Sequence, residues 1–92
     1  MEDEDFQWDD LKADANLRKH GIRFRLAVRV FADPFVHIQL DDSEDYGEDR
    51  YLATGMIGDR LITTIYTERG ERRRVISARK ASANEQKRYH RS

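Results

Sequence analysis

The chain has 92 residues, of which 38% are hydrophobic and 38% charged, so it is expected to form one small domain with little core to spare. It has no cysteine, which excludes disulfides and cysteine-based zinc sites. No apolar run approaches the ~18 residues of a membrane span, and the acidic start Met1-Glu2-Asp3-Glu4-Asp5 is unlike a signal peptide, so the chain reads as soluble and cytoplasmic. The net charge of −1 hides a dipole. Residues 68–92 hold nine Lys/Arg against three acids, a net +6, whereas residues 1–67 hold eight against fifteen, a net −7. A basic end on an acidic body suggests an anionic ligand, with nucleic acid the first candidate; the bland alternative is a solvated basic helix.

In chain order, Met1 to Asp5 is expected to be a disordered leader. Phe6-Gln7-Trp8 reads as a short strand. Asp9 or Asp10 can cap a helix running to His20, where Gly21 ends it. A second helix is expected over about 23–31, because Phe24, Ala27, Val28 and Phe31 fall on one stripe. Asp33-Pro34 stops it, since the residue before proline resists the helical conformation. The period then becomes two. Strands are expected over 35–40, 51–56, 61–66 and 71–78, with an acidic loop over 41–49, a turn at Gly58-Asp59 and a hairpin turn over Thr67-Glu68-Arg69-Gly70. Ser82-Ala83-Asn84-Glu85 is a capping box opening a last helix over about 83–90. The order β-α-α-β-β-β-β-α, with an antiparallel meander and helices on one face, is an α+β fold.

The run Arg72-Arg73-Arg74 inside a strand is unfavourable for a sheet unless something favours it. Guanidinium groups offer planar forks for phosphate oxygens and stay charged. The alternative is an edge strand protected by charge. Arg79 and Lys80 follow at a strand-to-helix junction, and helix N-termini attract anions. Strict alternation puts Arg72 and Arg74 on one face and Arg73, Val75 and Ser77 on the other, so Arg74 and Arg79 meet only if the chain turns near Ala78. Lys19 and His20 end the first helix. They suit its dipole there, and equally offer an imidazole beside an ammonium for proton transfer. Tyr89 can dock the last helix or stand near the basic site, while Trp8 and Tyr66 read as core aromatics. The histidines lack metal-ligand spacing, the acidic loop matches no EF-hand register and no phosphate-loop pattern is present, so neither metal nor cofactor is expected.

These residues together resemble the BrnT family of type II toxins. The resemblance runs from Phe6 to Tyr89 through Phe6-Gln7-Trp8-Asp9, Ala15-Asn16-Leu17-Arg18-Lys19-His20-Gly21-Ile22, Phe24 and Val30-Phe31-Ala32-Asp33-Pro34. It continues through Glu48-Asp49-Arg50-Tyr51, Leu52 to Gly55, Tyr66-Thr67-Glu68-Arg69-Gly70 and Arg74-Val75-Ile76-Ser77-Ala78-Arg79-Lys80-Ala81, ending at Glu85 and Tyr89. It implies a RelE-like fold and an RNA-cleaving toxin that arrests translation. The implied partner is a BrnA-like antitoxin, with operator DNA bound only through that antitoxin. Relatives often carry acids just after the phenylalanine of the second helix, where this chain has Arg25 and Leu26.

The sequence therefore predicts a metal-independent endoribonuclease. Arg74 and Arg79 would stabilise phosphorane charge and Lys19 or His20 would move a proton or hold phosphate. Arg69, Arg72, Lys80 and Tyr89 would contact RNA. A binding module without catalysis, docking RNA or antitoxin and acting as an operon co-repressor, is the rival expectation.

Overall fold

The computed structural model describes residues 1–91; Ser92, the last residue of the basic quarter, lies outside them. Five strands form one sheet: β1 (Phe6–Gln7), β2 (His37–Asp41), β3 (Arg50–Ile57), β4 (Arg60–Arg69) and β5 (Arg72–Lys80). The helices are α1 (Asp10–His20), α2 (Phe24–Ala27) and α3 (Ala83–Arg91), with a 3₁₀ turn over Val28–Ala32. The strand order is β1-β5-β4-β3-β2. The α+β class is as expected, but the sheet is mixed rather than antiparallel: β1 joins β5 in parallel, Phe6 beside Arg73 and Gln7 beside Arg74.

The expected disordered leader is instead tied down. Trp8 N–H donates to the Met1 carbonyl and Asp3 N–H to the Phe6 carbonyl, while the Asp3 carboxylate accepts from the N–H groups of Asp5 and Phe6. Arg73 N–H donates to the Asp5 carbonyl, fastening the segment to the sheet. Acidic residues that look unfoldable in isolation thus find partners far along the chain, the Asp3 carbonyl and Arg72 being 69 positions apart.

α1 begins and ends as its sequence dictates. The Asp9 carboxylate accepts from Leu11 N–H at 2.8 Å, and Gly21 closes the helix at φ 70°, a conformation costly for any residue with a Cβ. The second helix departs from expectation, being one α-helical turn that tightens into 3₁₀ geometry at Val28. Three residues per turn align positions i and i+3, so Ala27 and Val30 both point inward and are fully buried. The backbone comes close enough here that a Cβ on Gly55 of β3 would lie 2.9 Å from the Val30 carbonyl oxygen.

The core lies between this helical layer and one face of the sheet: Trp8, Ile22, Phe24, Ala27 and Val30 against Ala53, Ile62, Tyr66, Val75 and Ala78. Trp8 meets Phe24 edge-on at 5.8 Å between centroids, and Tyr66 stacks on Tyr51 at 5.4 Å, so both are core aromatics as expected. The last hairpin is longer than expected. β4 pairs with β5 out to Arg69–Arg72, leaving only Gly70-Glu71 as the turn. No helix among the described residues is long and apolar enough to cross a membrane.

Candidate functional site

The other sheet face carries the arginines, and a β-bulge puts them there. Residues opposite each other across an antiparallel ladder share a face. Arg72 opposes Arg69, Arg74 opposes Thr67 and Arg79 opposes Thr63. Positions 63, 67 and 69 alternate in phase along β4, so Arg69, Arg72, Arg74 and Arg79 share one face. Simple alternation along β5 separates Arg74 from Arg79. The register changes between Ile65 and Tyr66, whose partners are Ser77 and Val75, leaving Ile76 as an extra residue that shifts the phase by one. The phase change therefore comes at Ile76, not through a turn at Ala78.

Arg73 lies on the opposite face. Its guanidinium sits 4.2 Å from the Phe31 ring centroid and 5.7 Å from that of Tyr66. Of the three consecutive arginines, this one covers the edge of the core.

The arginines of the basic face are held by partners. Arg72 pairs with Glu2 at 2.8 Å and donates to the Asp3 carbonyl at 2.6 Å. Arg74 donates to the Gln7 side-chain oxygen at 3.1 Å, and Arg69 meets Glu48 at 3.2 Å. The Arg72 and Arg69 pairs reach into water, where such pairs contribute little and exchange readily.

Arg79 is held differently. Its two terminal nitrogens donate to both oxygens of Glu85 at 2.7 and 3.0 Å, and Glu85 is only 6% exposed. The same carboxylate accepts from Thr63 Oγ1 at 2.9 Å and from Ser82 N–H at 2.8 Å, while Ser82 Oγ accepts from Glu85 N–H. The capping box forms as its sequence signature requires, and it also orients Arg79. Burial opposes the Glu85 charge, but the Arg79 bonds, the Ser82 N–H and the Thr63 hydroxyl outweigh it and hold the carboxyl at about 2.

Lys19 and His20 lie elsewhere on the surface. With Lys12, Ala15 and Asn16 of α1 they line a shallow cleft of about 220 Å³ closed on the sheet side by Ile76 and Ser77. These are two of the four strand residues between Arg74 and Arg79. No hydrogen bond or ion pair links Lys19 or His20 to the arginine row among the described residues. Asn16 fixes this junction. Its amide donates to the carbonyls of Ile22 and Ala78, both at 3.0 Å, and its oxygen accepts from Ala78 N–H and Ser77 Oγ at 3.1 and 3.0 Å. It substitutes for a neighbouring strand along β5 beyond the reach of β1.

Tyr89 docks α3. Its hydroxyl donates to Asp33 Oδ2 at 2.6 Å, and this bond, with burial, pushes the phenol up to about 12. Burial works against the Asp33 charge, but the Met56 N–H, the Tyr89 hydroxyl and the Phe35 N–H hold its carboxyl below the usual range. Lys80 is exposed at the end of β5. At the departure positions, Arg25 is exposed and Leu26 packs partly buried against the core. Sequence reasoning missed Gln7, Asn16 and Thr63, and it read Glu85 only as a cap. Among these, only the cap has a local signature.

Among the described residues no group of three or more His, Cys, Asp or Glu side chains is arranged to hold a metal ion. The sequence profile of the ribonuclease toxin BrnT of type II toxin-antitoxin systems matches residues 8–85. The chain is thus a ribonuclease toxin of the type II class, and it belongs to the BrnT family. No curated protein sequence matches it. Membership implies an antitoxin partner.

Proposed function

We propose that the chain is a metal-independent endoribonuclease with a RelE-like fold, confined to one domain and acting in the cytoplasm to arrest translation. The observation that carries this reading is the row Arg69, Arg72, Arg74 and Arg79 on a single sheet face in a member of a ribonuclease toxin family. A phosphodiester laid along that face meets cations at successive positions.

In this reaction the ribose 2′-oxygen attacks the adjacent phosphorus as its proton leaves to a base. The bond to the 5′-oxygen breaks, that oxygen takes a proton, and a 2′,3′-cyclic phosphate remains. Arg74 and Arg79 stabilise the phosphorane charge. A guanidinium carries five N–H donors, and Glu85 engages only two nitrogens of Arg79, so the group stays oriented with donors to spare. Preorganised donors of this kind stabilise a transition state without reorganising. Glu85 itself is not the base, because a carboxyl held at about 2 is too weak to take a proton from a hydroxyl. Lys19 and His20, in the cleft beside Ile76 and Ser77, serve proton transfer or phosphate binding. Arg69, Arg72 and Lys80 hold flanking phosphates, and Tyr89 keeps α3 in place beside them. A BrnA-like antitoxin neutralises the protein, and operator DNA is reached only through that antitoxin.

Two observations favour a non-catalytic binding module instead: Arg69, Arg72, Arg74 and Arg79 all have an intramolecular partner, and Arg25 and Leu26 stand where relatives often carry acids. Purified chain incubated with single-stranded RNA and a metal chelator decides between them. The ribonuclease produces fragments ending in 2′,3′-cyclic phosphate. RNA that is bound but intact over hours rejects catalysis.

A further inference from the structure

Two cations without side-chain partners lie at the opposite end of the sheet from most of the arginine row. A cavity of about 490 Å³ opens between the β3–β4 turn and α3. Arg60 from the start of β4, Lys80 from the end of β5 and His90 from α3 line it together with the apolar side chains of Met56 and Leu61. Asp59 and Gln86 complete the rim. The Arg60 and Lys80 side chains are exposed, with no hydrogen bond or ion pair among the described residues. Arg69, Arg72, Arg74 and Arg79 each have an intramolecular partner, whereas in this cavity two unpaired cations meet a concave, partly apolar surface. Asp59 offsets one charge and leaves the rim positive.

We infer that this cavity is a nucleotide subsite: Arg60 and Lys80 bind a phosphate of single-stranded RNA, His90 adds a donor, and the sugar or base rests on Met56 and Leu61. The combination fits a nucleotide better than a bare anion, because a bare anion has no use for an apolar lining. It also fits single strands, whose bases are free to leave a stack. Lys80 opposes Ile62, so it and Arg60 point to the other side of the sheet from Arg79, and a strand lying along the arginine row reaches the subsite by crossing the end of the sheet past Glu85. The inference rests on the ribonuclease reading, since it extends the same RNA path.

The slope of log K against log salt falls by about 0.7 for each phosphate of a single strand that a protein ceases to neutralise. Removing both cations frees that one phosphate and should lower the slope by about 0.7, and if the electrostatic part vanishes near 1 M salt, affinity at about 0.1 M falls roughly 5-fold. The test is fluorescence anisotropy with a labelled decamer of mixed sequence and 2′-O-methyl riboses, which cannot be cleaved by 2′-oxygen attack. It compares the unaltered protein with Arg60→Ala, Lys80→Ala and the double variant across a salt series. Both side chains are exposed and unpaired, so the variants should melt with the unaltered protein. The subsite predicts the full slope change in the double variant and about half in each single one. Tight binding with an unchanged slope in the double variant overturns the subsite while leaving the ribonuclease reading intact. Absence of binding by the unaltered protein overturns the subsite, and RNA cleavage by that same protein then shows whether the ribonuclease reading falls too.

Discussion

Replacing Glu85 with glutamine should destabilise the protein in a manner that fades with acid. The carboxyl lies at about 2 in the folded protein against an ordinary 4.5. At 1.36 kcal/mol per pH unit this is roughly 3 kcal/mol, and partial exposure of Arg79 reduces it to about 2–3 kcal/mol. The folded value is depressed, so the stabilisation is fully present above the unfolded value of about 4.5 and is lost as pH falls through about 2. Glutamine is nearly isosteric and can still accept from Ser82 N–H and Thr63 Oγ1, so the substitution mainly removes the charge facing Arg79. Urea unfolding of both proteins at about pH 7 and about pH 3 reads the difference directly, and the gap should shrink by more than half at the lower pH. A gap independent of pH, or one below about 0.5 kcal/mol at neutral pH, would refute the claim that an ionised Glu85 anchors Arg79.

Other substitutions test other parts of the structure. Asn16→Leu leaves the buried N–H and carbonyl of Ala78 and the Ile22 carbonyl without partners and should cost about 3 kcal/mol in urea unfolding. Gly55→Ala places a methyl 2.9 Å from the Val30 carbonyl oxygen, which is backbone and cannot swing away, so a decrease of about 1–3 kcal/mol in unfolding free energy is expected. Arg73→Ala should lower stability by about 1 kcal/mol by stripping the cation from the rings, and should leave RNA cleavage unchanged, because its guanidinium faces Phe31 and Tyr66.

Features encoded by near neighbours were legible in the sequence. The Asp9 cap, the Gly21 stop, the Ser82–Glu85 box and the long strands β3, β4 and β5 depend on chemistry within a few residues. Features encoded by distant partners were not. The two-residue β1 is too short to declare its direction, and it is parallel only because β5 lies beside it. The acidic start looked disordered because its partners, Arg72 and Arg73, are far along the chain. The phase shift at Ile76 has no glycine or proline to announce it, yet it brings Arg74 and Arg79 to one face. Asn16 resembled an ordinary helix residue because two of its four bonds go to Ala78. The arginine cluster itself was visible from charge. That each member already had a partner was not, since Glu2, Gln7 and Glu48 carry no mark distinguishing them from solvated side chains.

The most direct test of a ribonuclease site on the basic sheet face is expression of the chain in a bacterial host, with RNA ends mapped before growth stops and an Arg74→Ala control alongside. Arg74 is the better control than Arg79, because Gln7 is neutral and suffers little when its partner is removed, whereas Glu85 would be left buried and unpaired. Growth arrest with new RNA ends is expected in the parent, and both effects should be reduced about 100-fold or more in an equally abundant Arg74→Ala protein. New ends of equal abundance in the control would contradict a site on the basic sheet face, and intact RNA from abundant, folded parent protein would contradict a ribonuclease altogether.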